Sequence, residues 1–177
     1  MTALPYGLRD VKVTPIDSAT SALGTPVDLP NGRTMSFNET EDYQELRGDD
    51  RVVARRGQGP TVEWTLENGG ISLEAYTVIN GGTLVVSGLG ASQVKTYSKL
   101  VTDARPYFKA EGQSYSDSGG DFHAVLYKCK CAGGISGSFA DGEFFVTSAS
   151  GNADGRDADG KIYDFVENAT PVAIVTS

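Results

Sequence analysis

Thr61-Val-Glu-Trp-Thr-Leu-Glu67 is the part of the sequence in which apolar and polar side chains alternate most regularly. Val62, Trp64 and Leu66 point to one side of an extended chain, and the threonines and glutamates point to the other. This two-residue period predicts a β-strand with one buried face. The chain is therefore expected to contain a sheet that is buried on one side, with Trp64 in its core.

Short segments with strand-like patterns recur along the chain, and clusters of Gly, Asp, Ser or Asn separate most of them. The 22 glycines among 177 residues exceed the usual share of about 7% and favour turns over long helices. Together these features predict a mainly β fold, a sandwich or barrel of short antiparallel strands. Phe122–Lys130 is apolar on both sides, which predicts a central strand between two layers. The other predicted strands are Asp10–Val13, Val94–Val101, Tyr107–Gln113, Glu143–Thr147, Ile162–Val166 and Val172–Val175.

One segment has a helical period instead. Ile71, Ala75, Val78 and Ile79 recur at the spacing of one helix face, and glycine pairs lie on both sides of the segment. The pattern predicts one short α-helix at about residues 71–80, which would cover an open side of the sheet.

The region before the tryptophan strand predicts a long protruding β-hairpin at about residues 33–57. Met35 and Phe37 continue the pattern of a buried face, but from Asn38 onward the apolar alternation fails. The chain reverses at Arg47-Gly-Asp-Asp50, and a tight Gly-Asp turn there would join two polar strands. A two-stranded hairpin alone is marginally stable in water. We therefore expect other copies of the same chain to complete it, although its composition is equally compatible with a mobile surface loop.

The charged residues of this hairpin are the candidate site. Residues 33–57 contain six carboxylates and five arginines, so the hairpin is almost neutral. The candidate contacts between subunits are Glu39, Glu41, Asp42, Glu45, Arg47, Asp49, Asp50, Arg51, Arg55 and Arg56.

The composition argues against a protein that holds duplex DNA through its phosphates. The chain has 23 acidic and 15 basic residues, a net charge of −8, whereas phosphate binding needs clustered Lys and Arg. Much of the excess negative charge lies near the C-terminus, where an acidic, solvated loop is predicted at 151–161. The length predicts a single domain, residues 1–177, with the hairpin arm 33–57 and this loop attached to it.

The sequence contains no recognisable catalytic, cofactor or metal motif. His123 is the only histidine, and it lies near Ser118 and Asp121 without the sequence context of a nucleophile. No phosphate-binding glycine motif is present. The aspartates of residues 154–160 do not have the spacing of a calcium-binding loop. We therefore expect a structural or binding protein that is not an enzyme and uses no cofactor or metal.

The cellular compartment is predicted from the absence of a secretory signal and of a membrane-spanning segment in the sequence. The first ten residues contain neither a basic stretch nor a long apolar run, so we expect no secretory signal. No uninterrupted apolar run exceeds four residues, which is too short to cross a bilayer. Cys129 and Cys131 are expected to be reduced and partly buried, because a bridge between such close residues would be strained.

Several stretches resemble the major tail proteins of siphophages, the tube subunits of phages with long non-contractile tails, in the form typical of actinobacterial hosts. The resemblance covers nearly the whole chain and is weakest at 85–93 and 151–161. Its most specific part is the charged hairpin followed by a short helix between glycines. The stretches are Leu4–Lys12, Glu45–Arg51, Gly69–Tyr76, Thr102–Phe108, Ser118–His123 and Asp141–Val146.

The resemblance implies a structural virion protein with a β-sandwich or barrel and a flanking helix. Subunits of that family form hexameric rings, which stack around a tape-measure protein into a tube that conducts DNA during ejection. The hairpin 33–57 would line the channel. The implied partners are further copies of the chain, the tape-measure protein, tail terminator and distal tail proteins, and passing double-stranded DNA without specific binding; no membrane is involved. The implied location is the virion tail, assembled in the host cytoplasm.

A charge hypothesis follows from this resemblance. An acidic channel wall would repel duplex DNA and keep it mobile, so several hairpin arginines are expected to pair with carboxylates of the adjacent subunit, leaving acids toward the channel. Two other classes of function remain open. One is the related inner-tube protein of a contractile tail or a type VI secretion system. The other is a carbohydrate-binding sandwich that would use exposed tyrosines such as Tyr43, Tyr97, Tyr107 and Tyr115.

Overall fold

The computed structural model describes residues 4–174 and shows a mainly β protein with one short α-helix. The strands are β1 (Pro5–Pro15), β2 (Val27–Asp28), β3 (Gly32–Gly48), β4 (Arg51–Gly69), β5 (Thr83–Ser87), β6 (Val94–Ser98), β7 (Tyr107–Ser116), β8 (Asp121–Ser136), β9 (Val146–Asp154) and β10 (Tyr163–Asn168). The helix α1 (Leu73–Asn80) follows β4.

Eight strands form one antiparallel sheet, in which seven follow the order β2-β1-β7-β8-β9-β4-β3 and β10 pairs with β8 beside this path. The long strand β8 pairs with β7 along one edge, while β10 and β9 share its other edge, one after the other. The sheet folds over so that Met35 of β3 lies against Gly112 of β7, where an added Cβ would be 2.4 Å from the Met35 sulfur. The described residues form a sandwich-like fold without a closed barrel, which confirms the predicted fold class.

The core lies between the two halves of this folded sheet. Val62, Trp64 and Leu66 are buried as the alternation predicts. The Trp64 ring meets the Phe108 ring edge-on at 5.4 Å, and its indole N–H donates to the carbonyl of Asn152 at 3.0 Å. Cys129 and Cys131 are free thiols in this core, and burial raises the pKa of both.

The helix closes one side of the core. Ser72 caps its N-terminus by accepting from the Ala75 amide, and the chain leaves it through Gly81, whose φ is 73°. Ala75, Val78 and Ile79 are buried against the sheet, so the predicted helix at 71–80 is confirmed within two residues. The separate β5–β6 hairpin packs on the helix, where the Tyr97 ring meets the Tyr76 ring edge-on at 5.7 Å. No helix in residues 4–174 is long and apolar enough to cross a membrane.

Four predicted boundaries or elements were wrong. Residues 151–154, assigned to the acidic loop 151–161, belong to β9, which starts at Val146 instead of Glu143. The error arose because β9 turns only small residues, such as Ala149 and Ala153, toward the core. The strand predicted at Val94–Val101 ends at Ser98. Residues 172–174 form no strand, and Val175 lies outside the described residues.

Candidate assembly interface

Beyond the sandwich, β3 and β4 continue as a two-stranded ribbon, residues 40–61, which we call the arm. All of its residues are exposed except Gly48 and Gly57, which are half-buried. β3 is the last strand of the sheet, so its outer edge is unpaired. On the other side, β9 pairs with β4 only from Val62 onward, which leaves the edge of residues 51–61 free. The arm is therefore a paired ribbon and not an irregular loop, with two open edges.

The arm reverses in a two-residue turn. Asp49 and Asp50 both have positive φ angles, 49° and 61°, as the tightest hairpin turns require at both central positions. Aspartate tolerates this conformation better than most residues. The predicted tight turn is therefore confirmed one residue later, at Asp49–Asp50.

One face of the arm continues the core-facing side of β3, and most of its charges are satisfied within the chain. The Glu45 carboxylate accepts from Arg47 at 2.9 Å and from Arg55 at 2.8 Å. The Tyr43 hydroxyl donates to Glu41 at 2.8 Å, and this hydrogen bond raises the pKa of Tyr43. Two of the five arginines thus pair inside their own subunit, so the expected pairing across subunits is not needed for them.

The opposite face, which we call the outer face, is polar across three strands. Along β3 and β4 it carries the acidic Asp42, Glu63 and Glu67 and the basic Arg56, which pairs directly with Gln44. On β9 the register adds small polar residues. The remaining members are Thr34, Ser36, Asn38, Thr40, Gln44, Thr61, Thr65, Ser148, Ser150 and Asn152. This part of the surface is acidic and rich in hydroxyl groups.

The root of the arm is braced by β10. The Phe37 ring lies 5.1 Å from the Phe165 ring and 6.4 Å from the Tyr163 ring. The Tyr163 hydroxyl donates to Glu39, and this hydrogen bond raises the pKa of Tyr163. These contacts fix the direction in which the arm leaves the sandwich.

The far half of the arm exposes apolar side chains that nothing covers in the single chain. Leu46 is 64% exposed, and Tyr43 and Val53 are each 60% exposed. A two-stranded ribbon with open edges and uncovered apolar groups is only marginally stable by itself, and its edges tend to pair with strands of other chains. Both edges of the arm can accept a further strand.

The structure places all ten predicted site residues on β3, on β4 or in the turn between them, but it brings only some of them together. Glu45, Arg47 and Arg55 form one cluster. Within residues 4–174, five of the ten have neither an ion pair nor a side-chain hydrogen bond: Asp42, Asp49, Asp50, Arg51 and Arg56. Glu63 and Glu67 of the outer face were missed, although the alternation around Trp64 already placed them on the solvent side.

The other polar groups singled out in the sequence are engaged in local contacts. Asp121 is completely buried and accepts from His123 at 2.9 Å. In the acidic loop, Asp157 pairs with Lys128 and Asp159 with Arg156. Across residues 4–174, no three His, Cys, Asp or Glu side chains are grouped so that they could hold a metal ion.

No protein-family model and no curated protein matches this chain. Among solved structures, it is similar to a chain of the cryo-EM structure of the anti-feeding prophage baseplate, 6-fold symmetrised, with a TM-score of 0.51 over 94% of this chain and 97% of that chain. The two are 9% identical. They share a fold.

Proposed function

We propose that the protein is a structural subunit of a phage tail, the tube protein of a non-contractile tail. In this proposal its arms add side by side into hexameric rings, and the rings stack around a tape-measure protein into a channel for DNA ejection. Tail terminator and distal tail proteins would bind the two ends of the tube, and the protein would be located in the virion tail. The observation that supports this best is the arm, which has two unpaired edges and no covering layer.

The two open edges lie on opposite sides of one ribbon, which favours a ring. The free edge of β3 in one copy can pair with residues 51–61 in the next, and the sheet stays antiparallel across the junction because β3 and β4 are antiparallel. Such a contact joins two different surfaces. It produces a closed ring when the rotation from one copy to the next is a whole fraction of a full turn. A closed ring leaves no exposed strand edge. The shared fold with a chain of a 6-fold symmetrised baseplate is compatible with this arrangement.

The outer face suits a channel wall. The sandwich covers the other face of β9 and of β4 from Val62 onward, so along these strands the outer face is the one available to line the ring. Duplex DNA has one negative charge per about 1.7 Å of its axis, and Asp42, Glu63 and Glu67, which outnumber Arg56 on this face, would repel it over a range of about 8 Å. The DNA would therefore pass without specific binding.

The inner tube of a contractile tail is the second candidate, because the structural neighbour belongs to a prophage-derived baseplate. Both tubes would use the same arm. A sheath gene beside the gene for this chain would favour the contractile tail, and its absence beside a tape-measure gene would favour the non-contractile one.

The direct test is the assembly state of the purified chain. We expect rings or tubes in negative-stain micrographs of concentrated protein, together with a concentration-dependent shift to heavy species in sedimentation velocity. A chain that sediments as a monomer at every concentration and shows no rings would contradict the proposal.

A second prediction concerns the channel wall. Changing Glu63 and Glu67 together to lysine should leave tails assembled but slow DNA release severalfold, because the wall would then attract the phosphates. The measurement is the rate of DNA release from purified particles. A matched control places the same charge change at Asp117 and Glu167, which are exposed on other strands or turns, and should release DNA at the original rate. Equal rates for both variants would refute the assignment of the outer face to the channel.

A further inference from the structure

The ribbon of β3 and β4 ends in two different surfaces that complement each other. At the tip, Asp49 and Asp50, like the single basic residue Arg51 beside them, make no ion pair within residues 4–174, and they lie beside the exposed Leu46 and Val53. β3 has 17 residues, which corresponds to a strand about 55 Å long at about 3.3 Å per residue. The root of the ribbon is therefore separated from this tip by the whole length of that strand.

At the root, the loop of residues 137–145, which we call the aromatic loop, borders an open groove of about 440 Å³. Arg33, Phe144 and Phe145 line this groove. Phe145 is held in place, because its carbonyl accepts from the Gly70 amide at 2.8 Å and its ring packs on Phe139 at 4.5 Å. Phe144 is 97% exposed, Phe139 is 84% exposed, and Arg33 has no ion pair within the described part of the chain.

We propose that the arm tip of one copy docks in the groove beside the aromatic loop of a copy in the adjacent ring. Leu46 and Val53 would cover Phe139 and Phe144, while Asp49 and Asp50 would face Arg33. This inference rests on the proposed function and adds the contact between stacked rings.

The placement of the two surfaces supports a second copy as the occupant. They lie at opposite ends of the same two strands. When copies are stacked along the direction of the ribbon, the tip of each copy therefore meets the root of the next copy. A contact between two different surfaces that does not close on itself generates an open filament. The complementarity has two independent parts, unpaired carboxylates opposite an unpaired guanidinium and exposed aliphatic opposite exposed aromatic groups. Every copy contains both halves, so the contact can repeat along the tube without any other protein.

The test separates stacking from ring formation. Phe144→Asp and Arg33→Glu each change an exposed side chain at the root, far from the edges of the arm. We expect both variants to form rings of the original diameter, while the association constant between stacked rings falls about tenfold or more, which corresponds to about 1.4 kcal/mol or more for each ring-to-ring interface. Combining Arg33→Glu with Asp49→Arg and Asp50→Arg should restore tubes. The matched control is Leu89→Asp, at a side chain that is 88% exposed on the β5–β6 connection, and it should stack normally.

The outcomes distinguish the two proposals. Tubes of unchanged length and yield in both root variants, with rings present, would overturn this inference and leave the ring proposal intact. Reversed charges that fail to restore tubes, in a variant that still forms rings, would overturn the pairing of Arg33 with the tip. An unsubstituted chain that forms no rings would overturn the proposed function, and the stacking contact with it.

Discussion

Replacing residues 41–60 by Asn-Gly should yield a folded monomer that forms neither rings nor tubes at any concentration. Thr40 and Thr61 are directly paired across the ribbon, so a two-residue turn can join them without changing the register. The buried core lies entirely outside the removed segment, and the brace of Phe37 on β10 remains. The shortened chain should therefore retain its β-sheet circular dichroism and its thermal midpoint, while sedimentation velocity shows a monomer only.

A variant with the same turn chemistry separates loss of the arm from a change of the tip. Asp49→Asn with Asp50→Gly keeps the full length of both arm edges and supplies the preferred residues for a turn with two positive φ angles. It should still form rings, because strand pairing along the arm needs its backbone and not its two terminal carboxylates. Ring formation by the shortened chain would show that other surfaces hold the copies together and would contradict the role given to the arm.

The strongest sequence signals came from patterns that depend on one chain alone. The alternation around Trp64 located β4 correctly because burial on one side selects every second residue. The alternation fails after Phe37 because no layer of the same chain covers the arm, so neither side of its strands needs apolar residues. This failure located the arm in the sequence. Glycine pairs around the helix fixed its ends, and Gly81 has the positive φ that the end of the helix requires.

The remaining features depend on contacts that sequence spacing does not encode. Glu45 binds two arginines, one on its own strand and one across the ribbon, and the cross-strand partner depends on a register set by bulges. Phe139 and Phe144 are large and apolar, yet they lie in a loop and are exposed. The apolar run at Val172 predicted a strand, whereas the structure holds it by single hydrogen bonds to side chains of the sheet.

Those bonds converge on Asp121, whose carboxylate is completely buried between the sheet and the C-terminal segment. It accepts from the side-chain amides of Gln113 at 2.6 Å and Asn168 at 2.8 Å, and from the Val172 amide at 2.8 Å. His123 adds a fourth contact at 2.9 Å. Burial by itself raises the pKa of Asp121, but the hydrogen bonds from Val172, His123, Asn168 and Gln113 together hold it well below its ordinary range.

Asp121→Ala should lower the free energy of unfolding by about 3 kcal/mol or more at pH 7, because four groups lose their hydrogen-bond partner and two of them, Gln113 and His123, are buried. Denaturant titration measures this loss, and hydrogen exchange at the Val172 amide should accelerate in the same variant. Asp117→Ala, in the exposed turn between β7 and β8, is the matched control and should change stability by less than about 0.5 kcal/mol.

The ionisation of Asp121 also determines how the difference in unfolding free energy between the original chain and Asp121→Ala depends on pH. The folded state holds the pKa of Asp121 below the unfolded value of about 3.9. Its stabilising contribution is therefore complete well above that value and is lost as the pH falls, because protonation is then easier in the unfolded chain. The gap in unfolding free energy between the original chain and Asp121→Ala should stay constant from about pH 7 to pH 5 and narrow below about pH 4. A gap that widens on acidification would mean that the buried carboxyl is neutral at pH 7, and that the C-terminal segment is held by a group other than the ionised Asp121.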